Sequence, residues 1–130
     1  MYNHVLVATD GSPGALRAVE VAGNIAAPMS AKATIVHVRE PAADDATANA
    51  ILDAARDALA KYRVPTEACL MRPVGMTNPG RRILEAQQAT GADLVVVGGR
   101  GAGGGLRNPL LGRVSNWLVA RAQTSVLVVR

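Results

Sequence analysis

Apolar positions along this chain follow two rhythms. One is the short unbroken run: HVLVAT at 4–9, ATIVHV at 33–38, DLVVVG at 93–98 and SVLVVR at 125–130. Runs of this length, rich in Val, Leu and Ile and not alternating, predict strands covered on both faces. TEACLMR at 66–72 alternates instead, which predicts a third strand at or near a sheet edge. The other rhythm is helical. Leu16, Val19, Gly23 and Ala26 recur up to Pro28; Ile51, Leu52, Ala55 and Leu59 form a second stripe; Ile83, Leu84 and Gln87 a third; and Leu110, Leu111, Val114, Leu118 and Val119 a fourth. Boundary residues agree with these spans. Asp10 and Gly11 end the first strand, and Ser12-Pro13 and Asn78-Pro79 each read as a cap followed by a first helical proline. Gly91 stops the third helix. PAADDATANA at 41–50 reads as loop or the frayed start of a helix.

The order is β-α-β-α-β-α-β-α-β. Such alternation predicts the α/β class: a doubly wound five-stranded parallel sheet with Rossmann-like or flavodoxin-like layers, in one domain spanning 1–130. In that architecture ligands bind beyond the carboxyl ends of the strands, where strand order reverses. Asp10 and the glycine-rich stretch after Val97 both fall at such ends.

Composition sharpens the picture in three places. Phe is absent and aromatics make up 2% of the chain, so the core must be aliphatic. Cys69 is the single cysteine, so no disulfide forms within the chain. The opening MYNHVLVATDGS carries no basic segment followed by a long apolar one, and no apolar run nears the ~18 residues of a spanning helix. The expectation is a cytoplasmic protein that engages no membrane. The net charge of +4 is unevenly placed: after residue 71 there are eight arginines against Glu85 and Asp93 alone. That imbalance fits either a solvated basic face or a surface that meets an anion. Nucleic acid is not expected, because Trp117, Tyr2 and Tyr62 are scattered and offer no stacking platform.

VVVGGRGAGGGLRNPLLGRVSNW at 95–117 is the most unusual stretch. Glycine exposes backbone N–H groups and reaches conformations other residues avoid, and a row of N–H groups leading into a helix cradles an anion. Gly99-x-Gly101-x-x-Gly104 matches the dinucleotide fingerprint, but no acidic residue follows Asp93 to hold a ribose. A P-loop needs a lysine at the helix start, and none occurs after Lys61.

The stretch GGRGAGGGLRNPLLGRVSNWLVARAQTSVLVVR resembles the C-terminal segment of the universal stress protein family. HVLVATDGSPGALRAVEVA, IVHV and GADLVVVG resemble the same family in order and spacing, so the resemblance covers essentially the whole chain. It implies a homodimer that binds ATP, AMP or another adenylate and acts as a stress-response regulator or sensor. It also implies a site. Ala8 and Thr9 would lie along the nucleotide. Asp10 would approach the ribose or a magnesium ion; its other reading is a cap on the turn before Ser12. Val38 would contact adenine. Val97 would flank base or ribose, or else belong to the core. Gly98 and Gly101 would admit the phosphates, and Gly112, Val114 and Ser115 would stand at the helix start. Two departures mark this chain. Ten residues rather than nine separate Gly101 from Gly112, and Arg113 stands where nucleotide-binding members carry Ser or Thr. Arg113 could pair a phosphate or fill its place, and Ser115 could supply the missing hydroxyl. Cap chemistry at Asn108-Pro109 offers an earlier helix start, which would put Gly112 inside the helix.

The remaining chemistry-bearing residues read as structural: His37 within its strand, His4 at the surface, Cys69 buried or half-buried. No nucleophile–base set or metal-spaced ligand pair is evident. An apolar last strand presents an open edge. Pairing with its copy would cover that edge, and the resemblance implies the same, with Val126, Leu127 and Val128 at the interface. Two rival expectations stand beside the nucleotide-binding regulator: a nucleotide-free interaction protein of the same fold, and a slow ATPase.

Overall fold

The computed structural model describes residues 1–75, 78–99 and 112–130. Five strands, β1 (His4–Ala8), β2 (Lys32–Val38), β3 (Thr66–Met71), β4 (Leu94–Gly98) and β5 (Ser125–Val129), form one parallel sheet in the order β3-β2-β1-β4-β5. Helices α1 (Pro13–Ala26), α2 (Asp45–Ala60), α3 (Pro79–Thr90) and α4 (Arg113–Arg121) make the crossovers. The doubly wound sheet expected from the two rhythms is what forms, with β3 at an edge.

Each sheet face owns one core. Val5, Val7 and Ile35 pack under α1 and α2 with Ala18, Val19, Leu52 and Leu59. Leu6, Val36, Val95 and Val97 pack under α3 and α4 with Ile83, Ala86 and Leu118. Alternate residues of β1 and β4 therefore serve opposite cores, which is why these strands read as continuous apolar runs. Two close contacts depend on glycine. A Cβ on Gly23 would lie 2.3 Å from the Tyr62 ring, and one on Gly80 would lie 2.8 Å from the indole of Trp117.

Of the two readings of 41–50, the helical one holds from Asp45 on, because Asp44 caps α2 by accepting from the Thr47 N–H at 2.8 Å. Two expectations are corrected. His4 is buried rather than a surface residue, since β1 is flanked on both sides by β2 and β4. Its Nε2 lies 2.7 Å from the Thr34 hydroxyl, and the Asp93 carboxylate accepts its backbone N–H at 3.0 Å. Val119 does not join the apolar stripe of α4; it is 51% exposed. Leu110 and Leu111 lie outside the described residues. Among the described residues no helix is long and apolar enough to cross a membrane.

Candidate functional site

Strand order reverses at β1, whose neighbours β2 and β4 lead the chain in opposite directions across the sheet. The carboxyl ends of β1 and β4 therefore bound a crevice, and most of the expected site residues collect there.

The β1 end is held rigidly. The Thr9 N–H donates to the Val36 carbonyl at 2.9 Å, and its hydroxyl accepts the Gly11 N–H at 3.1 Å. Its carbonyl accepts from His37 Nδ1 at 2.8 Å. A carbonyl can only accept, so Nδ1 carries the proton. His37 and Thr9 are both buried, and the bond ties β2 to the rim of β1. Asp10 follows on the surface, where its Oδ1 accepts the Ser12 N–H at 2.9 Å. The turn-capping reading of Asp10 is thus realised. Gly11 sits at φ +82°, a left-handed conformation that suits glycine. Ala8 and Val38, at the ends of β1 and β2, are half-buried.

The β4 end is built on close approach. A Cβ on Gly98 would stand 3.1 Å from the backbone of Gly14 in the first turn of α1. Glycine there lets α1 sit close on the sheet, since a larger residue would require the Gly14 backbone to give way by a few tenths of an ångström. The side chain of Val97 lies in the core, as its alternative reading had it. Gly99 is the junction of the region. Its N–H donates to the Val129 carbonyl at 2.8 Å, extending the β4–β5 ladder by one rung. Its carbonyl accepts the Gly112 N–H and, at 3.0 Å, the hydroxyl of buried Ser115.

Those two bonds place the start of α4 beside the β4 end. Gly112 is its N-cap, so the mouth of α4 opens at Gly112; Asn108 and Pro109 lie outside the described residues. The other three helices are capped by side chains, Ser12 onto Ala15, Asp44 onto Thr47 and Asn78 onto Gly80. Gly112 has no side chain to do this, and no side-chain cap bond forms. The first turn holds no acid, and its first residue, Arg113, is exposed. Its guanidinium is therefore not buried in the rim. With no side-chain cap from Gly112 and no acid in the first turn, the helix dipole makes this end electropositive. Ser115 carries its proton to the Gly99 and Gly112 carbonyls, at 3.0 and 3.1 Å.

The structure thus brings Ala8, Thr9, Asp10, Val97, Gly98, Gly112, Arg113, Val114 and Ser115 to one rim, with Val38 one strand away. Gly101 lies outside the described residues. Among the described residues no three His, Cys, Asp or Glu gather as metal ligands. Asp10 fits a magnesium ion only as a lone carboxylate, the form in which such ions share ligation with phosphates and water. Sequence reasoning gave two residues no place in the site: His37, read as structural, whose bond to Thr9 no local pattern discloses, and Gly99, one glycine among six.

Comparison with known proteins identifies the family and the fold. A universal stress protein from Thermus aquaticus, encoded in the QAH/OAS sulfhydrylase 3′ region, is 34% identical over 141 residues and is covered in full, as is this chain. The crystal structure of a universal stress protein in complex with cAMP superposes with a TM-score of 0.78 at 30% identity, covering 99% of this chain and 97% of that one. A universal stress protein from Archaeoglobus fulgidus, solved in complex with dAMP, shares the fold: TM-score 0.77 at 21% identity, covering 99% of this chain and 98% of that one. The model of the universal stress protein family matches residues 1–130, and the chain belongs to that family.

Proposed function

We propose that this protein binds an adenine nucleotide in the β1/β4 crevice and acts as a homodimeric cytoplasmic regulator or sensor in the stress response. The observation that carries the reading is the mouth of α4, a helix start whose N-cap, Gly112, gives no side-chain cap and which is held beside the β4 end by Gly99. The relative that binds cAMP, at 30% identity over nearly the whole chain, supports the ligand class.

In this reading Val38 and Ala8 face the base, and Thr9 and Asp10 run along the ribose. Gly98 and Gly101 allow close approach, with Val97 offering backbone only. Gly112, Arg113 and Val114 take the phosphates. Ser115 offers only its backbone N–H, because its one hydroxyl proton is already given to the Gly99 and Gly112 carbonyls, contrary to the expectation that it supplies the missing hydroxyl. ATP suits the mouth best, because Arg113 adds a full charge to the dipole and no acid in that turn opposes it. A magnesium ion would be held by Asp10 together with the phosphates and would neutralise part of their charge. β5 is the free edge beside β4, and Val126, Leu127 and Val128 are half-buried there, which supports self-pairing at this strand.

Thermal melting with millimolar AMP, ATP or cAMP, with and without magnesium, tests the reading. A ligand at one hundred times its Kd adds about 2.7 kcal/mol, on the order of 10 °C for a chain of this size. An unchanged melting temperature with all three favours the nucleotide-free interaction protein, the reading to which Arg113 and the extra loop residue lend support.

A further inference from the structure

Val119 is the one large apolar residue of α4 exposed to solvent, and its direction is fixed by its neighbours. Trp117 packs on Gly80 of α3, and Leu118 is buried against the sheet. At 3.6 residues per turn, Val119 lies about 200° from Trp117 and so faces away from α3, towards the outer side of β5. Val126 and Val128 are half-buried on that same sheet face. The two sheet edges differ. β3 carries the exposed charge of Glu67, whereas β5 runs Ser125–Val129 with no charge and no proline to block pairing. A second copy of β5, related by a two-fold axis, would meet it antiparallel with the same open ladder and the same apolar flank.

Gly99 joins this edge to the crevice. One side of its backbone is bonded to Val129, the last residue of β5, and the other to Gly112 and Ser115 at the mouth of α4. A Cβ at Gly99 would already touch the Val129 carbonyl at 3.4 Å and the Val128 side chain at 3.5 Å, so the segment lies close against the edge strand. The same residue is thus bonded both to the edge strand and to the start of α4.

We propose that the self-association surface extends from the β5 edge onto Val119, and that it is energetically linked to adenylate binding through Gly99. The linkage rests on the nucleotide-binding reading above. Because linkage is reciprocal, AMP should tighten the dimer by the factor by which dimerisation tightens AMP; a factor of about five or more is expected.

Sedimentation equilibrium and AMP titration of the full chain, wild type and Val119→Glu, test this. The substituted residue is exposed and outside the crevice, so folding should persist; the far-UV spectrum and melting temperature check it. The expected result is a dimer Kd raised at least tenfold, with AMP affinity lowered about fivefold where the variant is monomeric. That affinity should recover at concentrations that restore the dimer. A dimer unaffected by Val119→Glu overturns the surface. A weakened dimer with unchanged AMP affinity overturns the linkage. A wild type that dimerises but takes up no AMP overturns the nucleotide reading, and the linkage with it.

Discussion

His37 and Thr9 are joined by a buried hydrogen bond in which Nδ1–H donates to the carbonyl at 2.8 Å. The residue that looked like an ordinary strand histidine is the brace that holds the carboxyl end of β1 in place. His37→Leu leaves the Thr9 carbonyl without a partner in a buried setting, which should cost about 1–3 kcal/mol. His37→Asn can present an amide N–H at nearly the same place and should recover much of that. Urea unfolding of the three proteins measures it; equal losses in Leu and Asn would show that ring packing, not the bond, matters.

Gly23→Ala sets two effects against each other. Alanine favours the helix by about 1 kcal/mol. Its Cβ would fall 2.3 Å from the Tyr62 ring, however, and that ring is tethered by its hydroxyl to Glu20 at 2.6 Å. Overpacking of this kind costs about 1–3 kcal/mol, and escape by rotation breaks the tether. A net loss of stability is expected, relieved when Tyr62 is also replaced by alanine. A double-mutant cycle measures the coupling, and strict additivity would refute the contact.

Stability should depend on pH through His4. Burial lowers its pKa from the ordinary 6.5, Lys32 adds to the effect, and Asp93, Glu67 and the Thr90 backbone oppose it. The unfolded chain therefore takes up a proton first. The contribution of neutral His4 is complete above about pH 6.5 and is lost as pH falls below that through the folded pKa. Denaturation series at pH 7.5 and 5.5 should show the drop, and His4→Gln should flatten it. Equal slopes for wild type and variant would place the dependence elsewhere.

Arg113 should set the charge preference of the crevice. On the proposed reading, Arg113→Ala should weaken ATP by about tenfold, the loss of one charge-assisted contact, and cAMP by less. Titration at low and high salt checks both, because the contact is exposed and screened. Tighter ATP binding by the alanine variant would mean that the guanidinium obstructs the phosphates.

The sequence carried the architecture because the central strand runs are continuously aliphatic and α1 and α3 each open on a cap followed by proline. Ser12, Asn78 and Gly91 mark boundaries through local chemistry, and the structure keeps them. The start of α2 was legible only as loop or frayed helix, because Ala and Thr between 46 and 50 leave little apolar stripe; Asp44, its N-cap, was the signal that could have placed it. His4 was misplaced because burial at a strand start depends on the neighbours of β1, which lie nearly 30 and 90 residues away. Family likeness named candidate positions on the strand ends and at the start of α4, and the fold brings most of them to one rim. The bracing of Thr9 by His37 and the role of Gly99 were not, because both are bonds between elements that only the fold brings together.

Equilibrium dialysis of radiolabelled ATP and AMP against the purified chain is the most direct test of the crevice. Saturation near one nucleotide per chain is predicted, with the unlabelled adenylates competing for the same site. Retention no greater than that of a non-binding control at millimolar ligand would contradict it.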